Sequence, residues 1–291
     1  MAFPKIQELI AGVPHSLGCY GPVIQEIEAA LNDPQGSLVA VGATIEKDPD
    51  LTARLLRLGN SSYYGFPTRL ATVSEAISLI GVQQVQDLIV ASTVVQTFSG
   101  VAPEFVDMRS FWQHSLACGL GARVLAMDRR LPKPDRFFVA GLLHDVGRLV
   151  LFCEAPEAAR DTFALCQHER MQLREAERQV LGYDHAQIGE ALLRAWQYPA
   201  NLIQAVAYHH HPTACEGFPI EAAVVHVADH LVNAMQIGTS GERWVPALHL
   251  GAWNRMELAL TTLSSVMSAI DDQIEAVQET FLNVRGATSP P

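Results

Sequence analysis

The residues best equipped for chemistry in this chain are histidines and aspartates at wide intervals: His114, the pair His144-Asp145, His185, the pair His209-His210, and Asp229. The pair at 144–145 sits between two apolar runs, Phe137-Phe138-Val139-Ala140-Gly141-Leu142-Leu143 and Leu149-Val150-Leu151-Phe152. Burying a carboxylate and an imidazole there is costly unless something compensates them. A divalent metal is one such partner, because neutral imidazole and carboxylate are its usual nitrogen and oxygen ligands. A hydrogen bond between the two side chains is the other. The remaining positions fall on segments that read as helix, so a helical bundle could bring all seven side chains together. That many imidazoles cannot sit close together in protonated form, and a shared ion accounts for them economically. His211, beside Pro212, reads as a loop residue, and His226 and His230 flank Asp229 on other faces. His15, His168 and His249 read as surface histidines, and no cysteine lies in the segments that carry the seven, so sulfur is not expected among the ligands.

The elements that must position these residues read as helices from end to end, with no clean two-residue alternation of a strand. Ile6, Leu9, Ile10 and Val13 have helical spacing ended by Pro14. Ile24, Ile27 and Leu31 mark a second helix, and Ser37 offers a cap for a third over 38–45. Asp48 with Pro49 opens a helix over 51–58, followed by the turn-rich Gly59-Asn60-Ser61-Ser62-Tyr63-Tyr64-Gly65-Phe66-Pro67. Those aromatic residues serve either as a docking surface or as packing between lobes. The stretch 72–77 offers a further cap before a helix over 76–80, Gly81 stops it, and a long core-facing helix runs over 82–98. Residues 99–103 read as a linker between two helical lobes. Beyond it, 111–127 is a helix rich in small residues around His114. Residues 156–180 read as one solvated helix, 186–194 and 200–209 as shorter ones, and 220–235 as a central one. Trp244, Leu248, Leu250 and Trp253 could cover an apolar edge, a terminal helix or pair spans 258–281, and residues 287–291 should fray. The expected organisation is an all-α chain: an amino-terminal lobe at 1–100, a bundle at 101–237 and a carboxy-terminal helical extension at 238–291.

Composition narrows the function classes. Of 291 residues 49% are hydrophobic and 18% charged, ample for a folded core. A formal net charge of −11 argues against broad attraction to nucleic acid or anionic lipid. Five scattered cysteines without Cys-x-x-Cys spacing suit reduced thiols in a reducing compartment. No apolar stretch is long enough to span a bilayer, so a cytoplasmic protein without membrane partners is expected.

The order His, His-Asp, His, His-His, Asp resembles that of the HD superfamily. The local wording is closer to its HDOD branch, the HD-related output domains of bacterial signalling. Trp-x-His-Ser, Gly-Leu-Leu-His-Asp-x-Gly, Gly-x-x-His-x-x-x-Gly and Tyr-His-His-x-Pro all occur, at His114, His144, His185 and His209. The amino-terminal half, with its Asp-Pro-x-Leu helix leading into Asn-Ser-x-x-Tyr-Gly, shares the resemblance, which runs from about residue 15 to 235. It implies that Asp145 bridges two ions, iron, manganese, zinc or similar. His114, His144 and Asp229 would complete one position, and His185, His209 and His210 the other.

Two functions follow from the resemblance. One is a signal-output or scaffold domain that works through regulatory protein partners such as receivers, sensors or signalling enzymes. The other is a metal-dependent phosphohydrolase acting on a nucleotide or cyclic dinucleotide, with Asp145 and Arg148 as its catalytic residues. The cyclic-dinucleotide phosphodiesterase branch carries a Lys where Arg148 stands, and its Gly-Tyr-Pro loop has only a faint echo in Gly217-Phe218-Pro219. Ser110 stands where that branch can place a carboxylate. These departures favour the output domain.

Overall fold

A computed structural model describes residues 4–13, 26, 38–61, 63–98 and 104–282. The fold is all helical. The helix at 24–31, the Ser37 cap, the linker at 99–103, His15, Cys19 and the frayed end at 287–291 lie outside the described residues, apart from residue 26.

Among the described residues, four helices form the amino-terminal lobe: α2 (Leu38–Glu46), α3 (Pro49–Gly59), α4 (Val73–Ile80) and α5 (Val82–Thr97). Local signals set their ends. The carboxylate of Asp48 accepts the Leu51 amide at 3.0 Å, with Pro49 at the first helical position. Thr72 and Glu75 close a reciprocal capping box, and Gly81 ends α4 at a φ of 97°. Asn60 pins the following turn: its amide donates to the carbonyls of Leu56 and Leu70 and its carbonyl accepts the Leu70 N–H. The first helix, α1 (Ile6–Gly12), packs instead against the bundle, where Tyr183 donates to the Pro4 carbonyl at 2.5 Å.

The bundle comprises α6 (Met108–Asp128), α7 (Asp135–Leu143), α8 (Val146–Glu154), α9 (Pro156–Glu169), α10 (Leu173–Leu181), α11 (His185–Ala195), α12 (Ala200–Tyr208) and α13 (Pro219–Met235). The single helix expected over 156–180 is two. Arg170 adopts the left-handed conformation at φ 54°, the amides of Arg170 and Met171 bond back to the Cys166 carbonyl, and the chain turns into α10. No glycine or proline marks this break, so the turn rests on α10 folding back against α9. The inner face of α10 is Leu173, Ala176, Glu177 and Leu181, which are buried rather than part of a solvated charge run.

In the extension, α14 (Leu250–Met256) precedes one long helix, α15 (Leu260–Leu282). Trp253 packs on the core, whereas Trp244, Leu248 and Leu250 are exposed rather than covering an edge. Helix α15 lies along α6 and also touches α3 and α5, so it straps the lobe to the bundle. Among the described cysteines, Cys118, Cys166 and Cys215 are buried, Cys153 is exposed and all are free thiols.

The aromatic turn resolves as packing between lobes. Tyr63 is 2% exposed, meets Phe138 edge-on at 5.0 Å and donates to Asp135 Oδ1 at 2.8 Å. Arg123 donates to the same oxygen at 3.0 Å, with its guanidinium 4.1 Å from the Tyr63 ring centre. Tyr63→Phe should therefore cost about 1.5–3 kcal/mol, as expected for a hydrogen bond to a charged acceptor. Tyr63→Ala should cost about 3–5 kcal/mol. Urea unfolding checks both, and a wild-type midpoint for Tyr63→Ala would show that the turn does not join the lobes.

Candidate metal centre

Helix α6 carries His114, and α7 ends one residue before His144. These helices cross with almost nothing between them. A Cβ on Gly141 would lie 2.6 Å from the Cys118 carbonyl oxygen, and one on Gly119 2.8 Å from that of Phe138. Only hydrogen fits at either place, so the two backbones draw close. Gly147, at the start of α8, lies as tightly against the backbone of His185 and Gly189 at the start of α11. The His144-Asp145 corner is thereby held against helices on both sides.

Three imidazoles are oriented by an acceptor behind them. His144 Nδ1 is 2.7 Å from the Gly141 carbonyl, His209 Nδ1 2.7 Å from that of Val206, and His185 Nδ1 2.5 Å from Glu177 Oε2. Each Nδ1 therefore carries a proton and donates it, which turns Nε2 toward a common centre. His185 opens α11, where Asp184 and Gln187 form a capping box. His226 Nδ1 donates to the His209 carbonyl at 2.7 Å while its Nε2 accepts the His249 amide at 2.9 Å. It supports the cluster from outside. His249 caps α14, and His168 and His211 are exposed.

All seven expected residues meet in the bundle, in two groups. His144 Nε2 lies 3.5 Å and His114 Nε2 3.3 Å from Asp229 Oδ1, and Asn233 donates to that same oxygen at 2.7 Å. In the other group His185 Nε2 is 2.9 Å from Asp145 Oδ1, 2.9 Å from His210 Nε2 and 3.4 Å from His209 Nε2. Asp145 faces both: Oδ2 is 3.2 Å from His144 Nε2, and Oδ1 points to His185 and His209. A cysteine joins the first group, against the expectation that sulfur stays out of the cluster. Cys118, one turn along α6 from His114, places Sγ 3.6 Å from His114 Nε2. The i, i+4 spacing was its available signal.

Electrostatics organise the cluster as alternating charges. Burial pulls the His144 imidazole down, but Asp145 and Asp229 outweigh it and lift it to about 10. Burial and Arg148 likewise lower His185, while Glu177 and Asp145 raise it, with a net result of about 9. His209 falls to about 3 through burial and its cationic neighbours His144 and His185, and His210 is pushed down by burial and His209. Burial opposes ionisation of Asp145, yet Arg148, His144 and His185 hold its carboxyl well below the usual range. His144 Nε2 and Asp145 Oδ1 are nonetheless buried without a hydrogen bond of adequate geometry. A cation among these donors satisfies both atoms, so the residues present fit a divalent ion.

Arg148 is 2% exposed and turned entirely inward. It bonds Asp145 Oδ2 at 3.2 Å, Glu177 Oε1 at 3.1 Å and Ser240 Oγ at 2.5 Å, with Glu242 at 3.9 Å. The recess above it, between His210, Asp229, Arg174 and Glu242, offers about 10 Å³ to water. That is no more than one water needs, roughly 10–15 Å³. Nothing in the local sequence marks Glu177, because its inward face exists only once the chain turns at Arg170.

The sequence matches the HDOD domain family over residues 18–212. A protein of Treponema pallidum (strain Nichols) is 26% identical over 222 residues, 75% of this chain, which spans only 42% of that relative's length. An HDOD domain protein from Geobacter sulfurreducens superposes with a TM-score of 0.74 at 23% identity, over 96% of this chain and 97% of that one. A candidate phosphohydrolase from Shewanella amazonensis SB2B gives 0.73 at 22% identity, over 95% and 97%. A candidate signal-transduction protein from Marinobacter aquaeolei VT8 gives 0.70 at 19%, over 97% of this chain and 62% of that one. With the family match spanning two-thirds of the sequence, and a solved HDOD structure sharing its fold throughout, this chain belongs to the HDOD family.

Proposed function

We propose that this chain is a signal-output or scaffold module that acts through regulatory protein partners, with its bundle held by divalent ions at the His/Asp cluster. Asp145 would bridge two ions, one held with His114, His144 and Asp229, the other with His185, His209 and His210. The observation that carries the reading is Arg148. Hydrolysis of a phosphodiester wants a cation free to meet the substrate phosphate and a pocket with room for substrate. This guanidinium is spent on Asp145, Glu177 and Ser240, under a recess too small for a phosphate. The likeness to a signal-transduction protein supports the same reading, whereas the likeness to a phosphohydrolase names the activity to test against it.

Metal-loaded protein is expected to show no turnover of cyclic dinucleotides or simple phosphodiesters. A kcat of order ~1 s⁻¹, within the ordinary enzyme range, that disappears in Asp145→Ala would overturn the assignment.

Ion binding should be coupled to proton release. A group whose pKa is raised in the folded protein keeps its proton to higher pH, so His144 (about 10) and His185 (about 9) are imidazolium at neutral pH without an ion. As ligands they must be neutral, so binding should release up to about two protons from them. Apparent affinity should rise with pH and level off above the two values. Calorimetry in buffers of differing ionisation enthalpy measures this, and a flat affinity between about pH 6 and 9 would contradict the assigned ligands.

Glu177 holds the ring of His185 from behind. Glu177→Gln should weaken ion binding by about 10–100-fold, the usual cost of removing a group that orients a ligand. Equal metal retention by variant and wild type on dialysis would assign Glu177 to packing alone.

A further inference from the structure

The Cys118 thiol is fully buried beside His114, His144 and Asp229, in a group of donors close enough to share one ion. We propose that Cys118 is a thiolate ligand and that His114, Cys118, His144 and Asp229 form a closed, four-donor zinc site distinct in character from its neighbour. The proposal rests on the metal-binding reading given above and deepens it: Asp145 then serves the second position rather than bridging both.

The spacing of the donors is the first argument. Around a tetrahedral zinc with bonds of about 2.0–2.1 Å to nitrogen or oxygen and about 2.3 Å to sulfur, adjacent donors lie about 3.3–3.4 Å apart, or about 3.6 Å where one is sulfur. The structure places His114 Nε2 3.3 Å and His144 Nε2 3.5 Å from Asp229 Oδ1, and Cys118 Sγ 3.6 Å from His114 Nε2. All four donor atoms lie within 4.8 Å of one another.

Unmet bonding is the second argument. His144 Nε2 lies between Asp145 Oδ2 at 3.2 Å and Asp229 Oδ1 at 3.5 Å, buried and without a hydrogen bond of adequate geometry. A thiol meeting His114 through a weak S–H contact offers that nitrogen nothing, whereas an ion at the centre serves all four donors together.

Ligand softness gives the metal. Thiolate favours zinc over manganese or magnesium, while the second group, Asp145, His185, His209 and His210, offers only nitrogen and oxygen. On binding, the S–H bond breaks, a sulfur–zinc bond forms and the proton passes to solvent, with no change of oxidation state. Four protein donors leave no position for a water nucleophile, which is the arrangement of structural rather than catalytic zinc. The absence of turnover expected above then has a cause in the first position itself.

X-ray absorption at the zinc edge of the loaded full-length protein should show a sulfur scatterer at about 2.3 Å. Cobalt(II) in place of zinc should give a sulfur-to-cobalt charge-transfer band that vanishes in Cys118→Ser, while weaker visible bands from the second group persist. Zinc affinity in Cys118→Ser should fall more than about tenfold. A shell of nitrogen and oxygen alone, or full zinc affinity in the variant, overturns the thiolate while leaving the other ligands standing. Wild-type protein that binds neither zinc nor cobalt overturns both this site and the metal reading beneath it. The absorption experiment uses unaltered protein, so it decides the question even if Cys118→Ser fails to fold.

Discussion

A buried carboxylate with its two oxygens turned in opposite directions is the constraint around which the bundle is arranged. Asp145 is 3% exposed, and an isolated charge at that depth is not tolerated without compensation. One oxygen is answered by His144 and Arg148, the other by His185. Four elements must therefore converge on one side chain: the α7–α8 corner, α8 itself, α10 through Glu177 and the start of α11. The glycines at 119, 141 and 147 make that convergence possible, because a methyl group at any of them would push two backbones apart.

Arg148 extends the arrangement outward. By joining Asp145, Glu177 and Ser240 it ties the cluster to the segment that follows α13, and Glu242 continues the link by accepting the Leu173 amide at the start of α10. Such a network is costly to open at a single point, since each group removed leaves another charge buried and unpaired. The side chain that the hydrolase reading would present to substrate is bonded within the protein to Asp145, Glu177 and Ser240. Under the proposed output role, that internal bonding, more than any missing motif, separates this site from an open active site.

The amino-terminal lobe is joined by different means. Its contact with the bundle is aromatic and aliphatic, centred on Tyr63 against Phe138 with Asp135 and Arg123 beside it, and α15 reinforces it from a third direction. Both lobes consequently share one continuous hydrophobic core. Under the proposed output role, a change in either would reach the other through this shared packing.

The residues that could hold an ion, and the helices that present them, were legible from the chain alone. Helix ends are written in neighbouring residues, as with Asp48-Pro49 and the cap that begins at Thr72, and the seven donors stand in recognisable short motifs. What lay beyond reach depended on residues distant in sequence. The break at Arg170 carries no glycine or proline; it follows from α10 finding its place against α9, and it alone turns Glu177 inward to His185. Arg148 reads equally as a substrate cation or an internal clamp until Glu177, 29 positions on, and Ser240, 92 positions on, are seen to meet it. Cys118 stood outside the expected ligands until the close crossing of α6 and α7 set its sulfur beside His114 and Asp229. Local sequence decides backbone conformation because its energies act within a few residues. The pairing of buried charges is decided only by the tertiary fold, because it depends on which distant groups share the same few ångströms without water.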